Sequence, residues 1–263
     1  MTMAEPVEPH SPYLQRVLRM IREEFDPDFS FSSPGPIPWT KVDRPLAAMR
    51  FALLTTAGLH LKGDVPFRVF EERFGDPSFR VMAHGTPPEG IDLEALYVDR
   101  MYAREDLEVA LPMRALESLH ADGLIGPPPA RHYSFCGGVI RPLPGLAESV
   151  ACLEPMLRED GVAGVILLPT CPLCVQNTCI LARELEARGF VTVALSLVEE
   201  LSRTVGAPRT LVVSFPAGAP CGEPGNAAMQ KTVLEEALEL LETARGPGAR
   251  KTSRQTWRRP AHE

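Results

Sequence analysis

The chain reads as an α/β fold, and three features of its second half carry that reading. Apolar runs such as Val162-Ala163-Gly164-Val165-Ile166-Leu167-Leu168 are continuous rather than alternating, the pattern of strands buried on both faces of a parallel sheet. The segments between such runs repeat their apolar residues at helical spacing. Helix and strand then alternate from Leu143 onward. The expected architecture has three layers: a mostly parallel, Rossmann-like sheet flanked by helices.

Each element follows from local pattern. Leu14, Val17, Leu18 and Ile21 predict a helix over Tyr13 to Phe25. Pro34, Pro36 and Pro38 then turn the chain into an extended connector ending near Trp39. A buried strand is expected through Phe51 to Thr56, a short one at Phe79 to Met82, and a helix from Pro112 to Leu124 stopped by Gly126 and the prolines after it. The region from Gly85 to Asp106 is polar and loop-like. Beyond Leu143 the order is helix (146–158), strand (161–168), helix (174–188), strand (190–197), short helix (198–205), strand (209–215) and long helix (227–243). The organisation expected is an N-terminal helix and connector (1–45), an α/β domain (46–244) and a basic, disordered tail (245–263).

Composition narrows the function. The 263 residues suffice for a large core, and an apolar fraction of 44% with 23% charged residues is that of an ordinary soluble protein. Net charge is −7, yet the segment from Arg245 to Glu263 carries +5, so the other 244 residues carry −12. An acidic body argues against a nucleic-acid platform. No run approaches the roughly 18 apolar residues that span a bilayer. The start, Met1-Thr2-Met3-Ala4-Glu5-Pro6, lacks the basic and apolar regions of a secretory signal, so a reducing cytoplasm is the expected location.

The chemistry is expected at Ile166-Leu167-Leu168-Pro169-Thr170-Cys171-Pro172-Leu173-Cys174, where a strand runs into a Cys-x-x-Cys that opens a helix. The first turn of a helix offers unpaired N–H groups and the positive end of the macrodipole, both of which favour thiolate over thiol. Cys171 is therefore the candidate nucleophile, and Cys174 the residue that resolves what it forms. Two other readings stay open. The pair can be small apolar core residues, as free cysteines often are. It can also belong to a soft-metal site such as zinc, which needs further ligands; Cys179, five residues beyond Cys174 on the helix, points away, leaving Cys136 and Cys221. A second constellation joins Arg209, at the start of a strand, to the loop Phe215 to Gly225. That loop's Gly218 and Gly222 can present backbone N–H groups to an anion or simply make a tight connection. His60, His84 and His132 show no metal-ligand spacing.

Taken together, Thr55-Thr56-Ala57-Gly58, Gly75-Asp76-Pro77-Ser78-Phe79-Arg80, the cysteine turn, Pro208-Arg209 and the Pro216 to Pro224 loop with Gln230 are similar to a known family. It is the selenoprotein B family of the glycine, sarcosine and betaine reductases and D-proline reductase, including its shorter, cysteine-containing relatives. The resemblance runs from about Leu46 to Leu241. In the selenium-dependent members a selenocysteine occupies the position of Cys171, and a cysteine matches Cys174. It implies a thiol-dependent reductase that cleaves a carbon–nitrogen or carbon–sulfur bond, with Cys171 reacting and Cys174 resolving. Where relatives carry a His-Tyr-Asp-like element, this chain has Tyr97-Val98-Asp99, so only the Asp matches. Thr56 and Asp99 thus join Arg209, Gly218 and Gly222 as candidates for holding substrate. The expected partners are a small anionic or zwitterionic molecule and an external thiol or thioredoxin-like reductant. No bound cofactor, metal, nucleic acid or membrane is expected, and a homodimer is left open. A non-redox metal-binding protein and a Cys171-dependent lyase or transferase are the competing functions.

Overall fold

Strand pairing begins at Arg50 and ends at Thr252, so most of the chain feeds one sheet. The computed structural model describes residues 9–32, 35–94 and 100–259. In chain order the elements are α1 (Pro12–Glu24), β1 (Arg50–Thr55), β2 (Leu59–Leu61), β3 (Phe79–Ala83), β4 (Ile91–Leu93), α2 (Met101–Glu105), α3 (Met113–Ala121) and β5 (Arg131–Phe135). There follow α4 (Gly145–Glu159), β6 (Val162–Leu168), α5 (Pro172–Glu186), β7 (Val191–Ser196), α6 (Glu199–Val205), β8 (Arg209–Val212), α7 (Ala227–Thr243) and β9 (Ala249–Thr252). The sheet order is β3-β5-β1-β6-β7-β8-β9, parallel except for β3 against β5; β2 and β4 form a separate antiparallel pair.

The expected three-layer α/β architecture is the one found. Period-two alternation sends Phe51, Leu53, Ile166 and Leu168 to one face, where they meet α3 and α7. Ala52, Leu54, Val165 and Leu167 go to the other, under α1, α4, α5 and α6. With both faces covered, the strands need apolar residues at every position, which is why their sequences run unbroken.

Strand β5 escapes the sequence pattern because Arg131, His132 and Ser134 are polar. Each is matched by a partner. Ser134 Oγ accepts from Leu59 N–H at 2.8 Å, and His132 Nδ1 accepts from Leu53 N–H at 3.1 Å. His132 Nε2 then carries the proton toward His84 Nδ1 at 2.8 Å, and His84 Nε2 faces Glu117 at 3.1 Å.

The tail corrects the composition-based expectation of disorder. Ala249–Thr252 pair in parallel with β8, and the basic side chains meet the acidic face of α7: Arg254 reaches Glu236 at 3.0 Å, and Lys251 contacts Glu239. Trp257 packs edge-on against Tyr102 and lies 6.2 Å from the Phe215 ring. A charge block that looks solvated in sequence is thus the counterpart of Glu236 and Glu239. Helix α1 also belongs to the main body, burying Leu14, Leu18 and Ile21 in the core.

Two outcomes are expected. Trp257→Ala removes the anchor of the tail and costs on the order of 1–3 kcal/mol in urea unfolding. Burial, aided by His84, pushes the His132 imidazole down to about 3, against about 6.5 in an unfolded chain. The unfolded state therefore binds a proton that the fold excludes, and stability falls as pH drops from about 6.5 toward 3. His132→Gln flattens that part of the curve relative to wild type, read from urea midpoints at each pH.

Candidate active site

Chain order and sheet order diverge around β1, whose neighbours are β5 on one side and β6 on the other. In open α/β sheets the crevice at the carboxyl ends of such strands is where ligands bind. Here the residues following β1, β5 and β6 meet. Thr56 C=O accepts from Gly137 N–H at 3.0 Å and from the Thr170 hydroxyl at 3.2 Å. The Thr56 hydroxyl in turn accepts from Thr170 N–H at 3.3 Å and lies 3.4 Å from Leu168 C=O.

On this junction stands the cysteine turn. Cys171 is the N-cap of α5, extended at φ −145° and ψ 169°, and Pro172 supplies the first helical residue. Its Sγ accepts from Cys174 N–H at 3.1 Å, one of the unpaired amides that favour negative charge on sulfur. The two cysteines are joined in a disulfide across a Cα–Cα distance of 4.8 Å. Cys174 is sealed at 0% exposure while Cys171 retains 6% and lines a cavity of about 380 Å³. The pair is therefore asymmetric: only Cys171 can be approached.

The cavity wall is largely apolar, with Val17, Met20 and Ile21 from α1, Ile140, and Leu173. Its charged members are Glu72, Arg73 and Asp76. Burial alone would push the Asp76 carboxyl up. The Ser78 hydroxyl, the Arg68 and Ser78 amides and Arg80 outweigh that and hold it below its ordinary value, so the wall keeps its negative charge. Cys136 also lines the cavity, with its Sγ 3.4 Å from Glu94 C=O. Burial, with Asp76 and Glu94 nearby, pushes this thiol up to about 12. It stays protonated near neutral pH.

The structure gathers some of the predicted residues and disperses others. Thr56 lies in the junction beneath the cysteines. Gly218 N–H donates to Thr170 C=O at 2.7 Å, so the glycine–proline loop braces the turn. Gly222 is further along, with φ 105° and Met229 where a Cβ would point; its N–H goes to Ala219 C=O. Gly225 N–H is taken by Asp106. The loop amides expected to cradle an anion are thus engaged within the protein. Arg209 opens β8 and so lies at the amino ends of the strands, opposite Cys171. There it is 1% exposed, pairs with Glu186 at 2.6 Å and stacks on Trp39 at 3.6 Å, and its role is structural. Asp99 falls outside the described residues. Of the possible further metal ligands, Cys136, Cys179 and Cys221 are free and buried, and among the described residues no group of three or more His, Cys, Asp or Glu is placed to hold an ion.

Two contributors were not predicted. Helix α1 supplies a wall of the cavity, which its amphipathic spacing alone does not reveal. Gly137 is required by contact: a Cβ there would lie 2.1 Å from Cys174 Sγ and 3.0 Å from Thr56 O. The signal was the glycine pair directly after Cys136.

Comparison with known proteins finds subunits of reductases among the chain's relatives. D-proline reductase subunit gamma of Acetoanaerobium sticklandii is 29% identical over 80% of this chain and 84% of its own length. Glycine reductase complex component B subunit gamma of Peptoclostridium acidaminophilum is 26% identical over 86% of this chain and 53% of its own. Sarcosine reductase complex component B subunit beta of the same organism is 24% identical over 84% and 52%. These relatives are the reductase subunits that the cysteine turn and the glycine–proline loop resembled. The chain spans about half the length of the component B relatives and most of the D-proline reductase subunit. No family model and no solved structure matches. Among the described residues no helix is long and apolar enough to cross a membrane.

Gly137→Ala is expected to force Cys174 or the β1 end aside, at about 1–3 kcal/mol by denaturant unfolding. The loss shrinks when Cys174→Ala is also present, and a double-mutant cycle reads the coupling.

Proposed function

We propose that this chain is a dithiol reductase subunit that cleaves a carbon–heteroatom bond of a small zwitterionic molecule. The observation that carries the reading is the Cys171–Cys174 disulfide at the start of α5, with Cys171 alone of the pair facing the cavity. In the reduced protein, Cys171 thiolate attacks the substrate carbon, forming a C–S bond as the amine or thiol leaves and takes a proton. Cys174 thiolate then attacks Cys171 sulfur, the carbon departs with the electron pair and is protonated, and the disulfide closes. The balance is one substrate and two thiols giving a reduced product, a protonated leaving group and a disulfide. An external dithiol, small or borne by a thioredoxin-like protein, returns the two electrons.

The cavity supports a zwitterionic substrate. Arg73 offers a cation for a carboxylate, and Glu72 with the ionised Asp76 offers anions for an ammonium group. The relatives' printed substrates, D-proline, glycine, sarcosine and betaine, are all small zwitterions. As several relatives are components of complexes, a protein partner completes the reading.

Reduced protein is alkylated at graded pH and the label mapped by mass spectrometry, with exposed Cys152 as internal reference. Cys171 is expected to label at least about tenfold faster than Cys152 near neutral pH, while Cys136 stays unlabelled. Reaction of Cys171 with the profile of an ordinary thiol, near pKa 8.5, ends the reading. Once a substrate is in hand, Cys174→Ser stops turnover while leaving the first C–S adduct. Continued turnover by that variant makes the chain a lyase or transferase instead.

A further inference from the structure

The sulfur that leaves is as consequential as the one attacked. An external thiolate can reach only Cys171, so Cys174 must depart as a thiolate into a place with no solvent: Cys174 is 0% exposed and Thr170 1%. A buried sulfur anion with no donor would make the disulfide hard to open. Thr170 Oγ1 lies 3.6 Å from Cys174 Sγ, and because that sulfur carries no hydrogen in the disulfide, only the hydroxyl can donate. Among the described residues no other group makes a hydrogen bond to it, the neighbouring Gly137 N–H being given to Thr56 C=O.

In the disulfide state the same hydroxyl points at Thr56 C=O, 3.2 Å away. Rotating its single proton to sulfur would normally orphan a buried carbonyl. Here Thr56 C=O also holds Gly137 N–H at 3.0 Å and so remains satisfied. Thr170 itself stays anchored through its N–H to Thr56 Oγ1 and through its C=O to Gly218 N–H. The hydroxyl is therefore free to change acceptor without disturbing the backbone.

We propose that Thr170 is the leaving-group donor of this disulfide: its hydroxyl swings from Thr56 C=O to Cys174 sulfur as the S–S bond breaks. The inference rests on the dithiol reading above. In the step, an external thiolate forms a bond to Cys171 sulfur and the Cys171–Cys174 bond breaks. Cys174 takes the electron pair, stabilised by a charge-assisted hydrogen bond. A second external thiol then releases Cys171 and leaves as the oxidised disulfide; two thiols are oxidised and two cysteines reduced.

The test is the rate of reduction of the oxidised full-length protein by dithiothreitol, with quenched samples alkylated and resolved by mass spectrometry. Thr170→Val is expected to slow the reaction about tenfold or more, and Thr170→Ser to stay within about threefold of wild type. A merely structural threonine would not move the second readout, thiolate absorbance of reduced protein in a Cys171→Ser background. There Thr170→Val raises the pH at which Cys174 ionises, and Thr170→Ser does not. If the valine variant does not fold, Thr170→Ala carries both measurements. Wild-type rates and unshifted Cys174 ionisation in the valine or alanine variant overturn the assignment while leaving the dithiol reading intact. A wild-type disulfide that dithiothreitol cannot open, or that opens at Cys174, overturns both.

Discussion

Thr56 joins three strand ends through one residue's backbone and hydroxyl, and the site depends on that junction. Its carbonyl takes Gly137 after β5 and Thr170 after β6, while its hydroxyl takes the Thr170 amide. Ordinary strand ends diverge into loops whose positions follow solvent and sequence. Here the divergence is halted for one further residue, and α5 starts from a fixed platform. The N-cap position of Cys171 is then a consequence of backbone hydrogen bonding, with no long side chain holding it. The fit of Gly137 against Cys174 follows from the same closeness, since any Cβ would separate the strands.

Buried charge is used at the other pole. The Glu186 side chain is 0% exposed and that of Arg209 1%; Glu186 binds Thr192 and Arg209, Arg209 reaches Thr40 C=O, and Trp39 covers the guanidinium. Such a pair contributes little net stability against its desolvation, but leaving either partner alone is costly. It ties the proline-rich connector to the amino ends of β7 and β8. The connector is thereby fixed where it leads back from α1, the helix that walls the cavity.

How much of this could be read from sequence follows from what each residue answers to. Parallel strands and their helices were legible because both faces are apolar and the period is local. Strand β5 was not, since its polar residues are satisfied by partners such as Leu53 and Leu59, distant in the chain. The tail misled for the same reason: its positive charges were counted without Glu236 and Glu239, which they face. Arg209 was placed correctly on its strand and at the wrong end of the sheet. The needed signal was available, because a residue opening a parallel strand lies opposite the loops that close the others. The cysteine turn was legible because N-cap chemistry is written in consecutive residues. The glycine–proline loop beside it was legible as a loop, but the destinations of its amides were not.

The cavity finally shows why position outweighs residue identity in this chain. Cys136 and Cys171 are both cysteines and line the same space. Cys136 sits among a carbonyl and two carboxylates, among the described residues no amide donates to it, and burial there holds the proton on sulfur. Cys171 sits at a helix start with an amide already donating to its sulfur. The fold holds the Cys136 thiol protonated and joins Cys171 to Cys174. The disulfide spans a three-residue step along one helix turn.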